Sequence, residues 1–354
     1  MNFAKIINNN YEIIFEEPTL YVDNEARGRS GHMSHAMAKF GKSGLINFNS
    51  NNSAVRLDGH FPYGWVEYRI SNDNGNTYSD IIDLEYSLKS FYDGIYTISV
   101  EKAVGCDNGD IVAFCLRNSA LEVNFCEPWD TPTVIRSSDG GKTWSDPVEC
   151  IPYKGRIYDV RYHNGIIYVY FFCNEHFIGS NDEHKYRLYK SFDNGLTFKE
   201  ASVIPFDTLN RAYGSILFDT NDVLHAYTYI QSDESVIDHA ISNDYGETWE
   251  ILDKCHVDKG IRNPQTAFLD GVYIMHGRTA DWESFVFYTS LDATNWDEGT
   301  IIASTCRVGQ YYSNNINLTD EIGNYLLVQY SESYSGAKVN VKHIKIRVNK
   351  KSTL

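Results

Sequence analysis

The sequence predicts an all-β protein, a six-bladed β-propeller whose blades are four-stranded and antiparallel. Two observations carry this prediction: a short turn phrase recurs along the chain, and strand-like segments fill the intervals between its copies. Self-similarity at intervals of several tens of residues is the signature of repeat architectures, in which each repeat is one supersecondary unit. The whole chain, residues 1–354, is therefore predicted to form a single propeller domain.

The turn phrase reads Ser-x-Asp-x-Gly-x-Thr-aromatic. Full copies begin at Ser71, Ser137, Ser191 and Ser242, and a shortened copy begins at Ser290, so that successive copies lie 48 to 66 residues apart. Asp hydrogen-bonds to nearby backbone and Gly permits positive φ, so the phrase predicts a tight turn between two strands. We therefore assign the turn aspartates a structural role and not a catalytic one.

Strand-like segments define the blades between these turns. Segments such as GIIYVYFF and YLLVQY predict strands, and no long segment shows helical apolar spacing. If each turn phrase joins the third and fourth strands of a blade, the six innermost strands begin near His32, Tyr96, Tyr158, Ala212, Asn263 and Tyr312. The last blade then has three strands of its own, near 312–318, 324–331 and 338–347. We expect residues 11–17 to supply its outer strand and so to close the ring.

Composition excludes several classes of partner. The net charge is −16 and no basic cluster is present, which argues against nucleic acid and anionic membranes. No apolar stretch is long enough to span a bilayer, and the first residues lack the features of a secretory signal.

The seven scattered cysteines show no Cys-x-x-Cys spacing, so we expect free thiols and a cytoplasmic location. No cofactor is indicated. His32 and His35 are three residues apart and would face opposite sides of a strand, so we expect no metal site.

The mouth of a propeller channel is lined by the starts of inner strands and by the loops between second and third strands. Among the acids at those positions, Asp58 and Glu175 are the catalytic candidates. They also offer candidate substrate-binding residues: Arg29, His35, Arg211, Arg262 and Trp282. Arg pairs with carboxylates and aromatic rings stack on sugar faces, so this lining favours a carbohydrate, in particular an acidic sugar.

Beyond this pattern, the chain resembles the sialidase (neuraminidase) superfamily, six-bladed propellers that carry the same turn motif, called the Asp-box or bacterial neuraminidase repeat. RNPQTAFLDGVYIMHGR resembles the family's fifth-blade segment, in which Arg278 matches a carboxylate-binding Arg and Asn263 falls where the family has an activating Glu. QYYSNNINL resembles the segment of the nucleophilic Tyr, which falls on Tyr312. Glu332 resembles an acid that steadies the family's first arginine.

The sequence also departs from the family pattern. The family's opening Arg-Ile-Pro is absent, and the position expected for its third arginine reads DWES. Asp58 is the one acid in the first-blade loop that would supply the acid/base Asp. The complete three-arginine clamp therefore cannot be assembled from matched positions.

The resemblance implies a glycoside hydrolase acting on an acidic or unusual sugar, with Tyr312 as nucleophile and another acid from the third blade, Glu175 or Asp159, replacing the missing Glu. Two alternatives stay open: a polysaccharide lyase acting on a uronate polymer, and a propeller that binds glycans or proteins without catalysis. Tyr312 begins the sixth inner strand and Arg278 ends the second strand of the fifth blade. Because these strands run in opposite directions, we expect both side chains to meet at one central pocket.

Overall fold

The structure, a computed structural model, describes residues 2–8, 10–119, 127–305 and 310–351. The chain starts with three strands and a single helical turn, and none of these belongs to the first blade. They are β1 (Asn2–Ile7), β2 (Tyr11–Glu16), β3 (Thr19–Val22) and α1 (Asn24–Arg27). Six antiparallel sheets then follow in chain order and form the predicted six-bladed propeller.

The first two blades are separated by the one helix of more than two turns within the described residues. Blade 1 contains β4 (Arg29–Ser30), β5 (Met37–Phe40), β6 (Gly44–Ser53), β7 (Gly64–Ser71) and β8 (Ile82–Asp83), with a short 3-10 turn at Arg56–Gly59. Helix α2 (Glu85–Asp93) leads into blade 2, which contains β9 (Tyr96–Gly105), β10 (Ile111–Ser119), β11 (Thr133–Ser137) and β12 (Val148–Glu149).

Blades 3 to 5 follow the same up-and-down order. Blade 3 contains β13 (Arg156–His163), β14 (Ile166–Cys173), β15 (Lys185–Ser191) and β16 (Lys199–Ile204). Blade 4 contains β17 (Arg211–Phe218), β18 (Leu224–Ile230), β19 (Asp233–Ser242), β20 (Glu250–Ile251) and β21 (Cys255–His256). Blade 5 contains β22 (Arg262–Leu269), β23 (Val272–Arg278), β24 (Ser284–Ser290) and β25 (Thr300–Ser304).

The last blade is closed by the amino-terminal segment, as predicted. Its own strands are β26 (Ser313–Thr319), β27 (Asn324–Ser335) and β28 (Lys338–Lys350), and β2 pairs antiparallel with β28. The sequence did not indicate β1, which adds a further strand outside β2, or β3, which also pairs with β28. Phe15 on β2 is fully buried against Phe287 of blade 5, so closure is reinforced by packing between blades.

The recurring turns are held by hydrogen bonds within each phrase. In the first copy, the Ser71 hydroxyl donates to Asp73 (2.7 Å), and both the amide and the hydroxyl of Thr77 donate to the Asp73 carboxylate (2.8 and 2.6 Å). These hydrogen bonds from Thr77 lower the pKa of Asp73 to about 2. The same hydrogen bonds to Asp recur at Asp139, Asp193 and Asp244, so these carboxylates stabilise turns.

Other sequence-based expectations concern cysteines, metals and membranes. Five of the seven cysteines lie in the described ranges and all five are free thiols, whereas Cys126 and Cys306 lie outside them. Within the same ranges, no group of three or more potential ligands could hold a metal ion. No described helix has the length and apolar character needed to cross a membrane.

Candidate functional site

A pocket of about 320 Å³ opens at the face of the ring where the inner strands begin. This central pocket receives side chains from the inner-strand starts and from the loops between second and third strands, as propeller geometry predicts. It is lined by His32, Met33, His60, Glu127, Trp129, Arg156, Phe177, Tyr213, Arg262, Arg278, Trp282 and Tyr312.

Three buried arginines dominate the central pocket, and the guanidinium group of each lies against an aromatic ring. The distances from the guanidinium carbon to the ring centroid are 4.3 Å for Arg278 and Tyr312, and 4.4 Å for Arg262 and Trp282. Arg156 lies 4.9 Å from the ring of Tyr213. Such contacts hold the guanidinium planes in place, so the three cations are fixed before any ligand arrives.

The three arginines differ in how their charge is compensated. Arg156 pairs with Glu101 (2.6 Å), and Arg262 lies 3.7 Å from Glu234 and donates to Gln231 (2.7 Å). By contrast, no described carboxylate lies within 4.0 Å of the Arg278 guanidinium, although the side chain is only 4% exposed. Its Nε is buried and finds no hydrogen-bond acceptor among the described residues. A buried cation without a counterion is costly, so this site favours an anionic ligand group.

The two adjacent tyrosines of QYYSNNINL have different environments. Tyr311 has positive φ (60°), is fully buried and stacks on Phe285 in the core between blades 5 and 6. Its neighbour Tyr312 is half-buried and lines the central pocket. The structure therefore directs Tyr312, and not Tyr311, toward any bound ligand.

Two histidines from blade 1 lie beside Tyr312. The rings of His32 and His60 are 4.7 Å apart, and their centroids lie 5.7 and 6.2 Å from the Tyr312 ring. Burial lowers the pKa of His60 to about 4 and, together with nearby charges, holds the pKa of His32 well below its usual value. Both imidazoles are therefore neutral near pH 7, and a neutral imidazole keeps one ring nitrogen as a hydrogen-bond acceptor.

A small cavity of about 40 Å³ lies on the propeller axis beside the central pocket. Glu101 and Tyr312 both line it, and one carboxylate oxygen of Glu101 is buried without a partner among the described residues. The floor is Lys102, which pairs with Asp159 (3.1 Å) and donates to Asn314 (3.0 Å). Lys102, Asp159 and Asn314 together separate the cavity from a wider opening on the opposite face.

Four of the residues proposed from sequence meet in the central pocket: Tyr312, Arg278, Arg262 and Trp282. Asn263 and His35 line the small axial cavity instead. Burial lowers the pKa of His35 to about 4, and its Nε2 lies 3.2 Å from the carbonyl of His32.

The other five proposed residues do not line the central pocket, and each has a partner elsewhere. The Asp58 carboxylate accepts from the amide of Ala337 and pairs with Lys338, Glu175 pairs with Lys154 (2.9 Å), and Glu332 pairs with Lys342. Arg211 pairs with Asp238 (2.7 Å), and Arg29 donates to the carbonyl of Asn51 (2.8 Å). The catalytic roles suggested by sequence for Asp58 and Glu175 have no support from this geometry.

Arg156 was not among the residues proposed from sequence. A usable signal was present, because an Arg opens or nearly opens the inner strands of four blades: Arg29, Arg156, Arg211 and Arg262. From the same first-blade loop the sequence singled out Asp58, whereas the structure places His60, two residues later, in the pocket. A 3-10 turn with Asp58 at φ 53° sends that carboxylate toward blade 6 and leaves His60 at the pocket.

The fold is shared with solved sialidase structures. A protein of unknown function from Dyadobacter fermentans superposes with a TM-score of 0.75 at 15% identity, covering 95% of this chain and 99% of that one. The Hadza microbial sialidase Hz136 gives 0.66 at 13% identity over 95% of this chain and 68% of its own. Trypanosoma rangeli sialidase in complex with sialic acid gives 0.62 at 12% identity, covering 97% of this chain but 59% of that one.

At these identities the likeness establishes a sialidase-type propeller fold and leaves the chemistry open. No protein-family model matches the sequence, and no curated protein matches it either.

Proposed function

We propose that this protein is a sialidase-like glycoside hydrolase that binds an acidic sugar in the central pocket. The single observation that carries the proposal is the buried, unpaired guanidinium of Arg278 in contact with the ring of Tyr312. A sugar carboxylate would supply the missing counterion, and Arg262 would add a second positive charge at the same site. Trp282 and Tyr213 are only partly buried, and they provide aromatic surface against which a sugar ring can pack.

In the proposed reaction, Tyr312 is the nucleophile. A phenol is an uncharged nucleophile that approaches an anionic sugar without charge repulsion, but it needs a base to take its proton. We assign this role to His60, a neutral imidazole beside the ring. As the Tyr312 oxygen bonds to the anomeric carbon, the bond to the leaving oxygen breaks, and protonated His60 passes the proton that it took from Tyr312 to that oxygen. Water then adds its hydroxyl to the anomeric carbon as the bond to Tyr312 breaks, and its remaining proton passes to the Tyr312 oxygen.

A second candidate, uronate β-elimination, is favoured by the neutral histidine pair. With the carboxylate held by Arg278, His60 would remove the proton on the adjacent carbon. The electron pair would form a carbon–carbon double bond as the bond to the leaving oxygen breaks, and Tyr312 would protonate that oxygen. The absence of the Asp58 carboxylate from the central pocket is consistent with this route.

A substrate panel separates these candidates. Chromogenic glycosides of sialic and uronic acids, together with uronate polymers, would be incubated with the protein and scored for new reducing ends and for unsaturated product. Reducing ends alone indicate hydrolysis, and reducing ends with absorbance from a conjugated double bond indicate elimination. Binding of an acidic sugar without either product would show a binding propeller. Failure to bind any acidic sugar would refute the proposal.

A further inference from the structure

A cluster of partly exposed aromatic residues lies at the edge of blade 1, apart from the central pocket. This aromatic patch consists of Tyr63, Trp65, Phe91 and Tyr92 with the two arginines Arg29 and Arg56. Ring centroids are separated by 4.9 Å for Tyr63 and Phe91, and by 6.4 Å for Trp65 and Tyr92, whose planes are stacked. Tyr92 is 73% exposed, so the patch is open to solvent.

The two arginines of the patch are held against these rings. The Arg56 guanidinium carbon lies 3.6 Å from the centroid of Tyr63, and that of Arg29 lies 5.0 Å from the centroid of Trp65. Neither arginine forms an ion pair with a carboxylate in the described part of the chain. In a chain with a net charge of −16, two such unpaired cations over aromatic rings favour an anionic ligand.

Topology places the patch on the same face as the central pocket. The connection between β6 and β7 carries Tyr63, and helix α2, which carries Phe91 and Tyr92, leads directly to the start of the inner strand β9. The β6–β7 connection and the end of α2 therefore both lie at the face of the ring where inner strands begin, which is the face of the central pocket.

The patch is also close to the pocket along the chain. Arg29 and Tyr63 are each three residues from the pocket histidines, His32 and His60, so no more than about 11 Å of chain separates each pair. A ligand anchored in the pocket can thus continue onto the patch.

We propose that the aromatic patch binds the continuation of an acidic polysaccharide chain whose first or cleaved unit occupies the central pocket. Stacked rings suit the apolar faces of successive sugars, and Arg29 and Arg56 suit their carboxylates. This inference rests on the proposed function and narrows its substrate class from single acidic sugars to acidic polymers.

The test compares polymers with their own monosaccharides. Colominic acid (polysialic acid) and polygalacturonate would be the polymer probes, N-acetylneuraminate and galacturonate the monomer probes, and dextran the neutral control, with Kd measured by calorimetry. For Tyr92→Ala and Arg56→Ala, we expect the preference for polymer over monomer to fall roughly tenfold each. Phe192→Ala is the matched control, because Phe192 is 64% exposed on a turn at the opposite face.

Each outcome decides one of the two proposals. If no acidic polymer binds, or if Tyr92→Ala and Phe192→Ala change the preference equally, the patch proposal is overturned. If polymer binding depends on Tyr92 while Arg278→Ala changes neither polymer nor monomer affinity, the patch still binds acidic polymer, but the proposed pocket function fails and with it the placement of the first unit in the central pocket. Loss of both affinities in Arg278→Ala, with selective loss of polymer affinity in Tyr92→Ala, supports both.

Discussion

Replacing Arg278 with Met tests whether the positive charge at this position serves ligand binding or the stability of the fold. The Met side chain retains an apolar stem beside Tyr312 but removes the buried guanidinium group. A hydrogen bond between charged groups contributes about 1.5–3 kcal/mol, so the Kd for an acidic monosaccharide should rise roughly 10- to 150-fold. Because Arg278 has no described carboxylate partner, its removal should not lower the free energy of unfolding.

The assay pairs two measurements on the same variant. Calorimetric titration with N-acetylneuraminate and galacturonate gives the change in affinity, and thermal unfolding without ligand gives the change in stability. Arg187→Met is the matched control, since Arg187 pairs with Glu200 (2.7 Å) on blade 3 and does not line the pocket. An Arg278→Met protein that binds the sugars as tightly as the unmodified protein would refute the assignment of Arg278 as a carboxylate anchor.

Three further predictions follow from the same structure. Tyr312→Phe should abolish turnover of any substrate found while leaving its Kd nearly unchanged, and equal turnover would exclude a role for the phenol. Burial lowers the pKa of His35 and His60 to about 4 in the folded state, below the ordinary value, so the unfolded chain binds more protons as pH falls below about 6.5. The contribution of these two neutral histidines to the free energy of unfolding is therefore fully present above that pH. At pH 5 each of them should lower the free energy of unfolding by about 2 kcal/mol. A melting temperature unchanged between pH 7 and pH 5 would contradict this. Phe15→Ala should lower the free energy of unfolding by about 3–5 kcal/mol, whereas Phe3→Ala, on a side chain 43% exposed, should lower it little; equal effects in denaturant unfolding would refute the closure argument.

The sequence by itself determined the number of blades and the closure of the ring. The reason is that the turn phrase is a local device: the bonds that hold Asp73 come from residues within four positions of it. Period-two strand patterns are equally local, so strand order and the use of residues 11–17 in the last blade could be predicted. The opposite directions of adjacent strands were also sufficient to bring Tyr312 and Arg278 together.

Only the tertiary structure decided which charges are compensated and which acids reach the pocket. Arg156 pairs with Glu101 on another blade, 55 residues away in sequence, whereas the Arg278 guanidinium has no carboxylate partner among the described residues. The positive φ of Asp58 turns its carboxylate toward Lys338, 280 residues away, and leaves His60 at the pocket. Such pairings depend on side chains that converge from separate blades in three dimensions, and neither repeat spacing nor strand periodicity encodes that convergence.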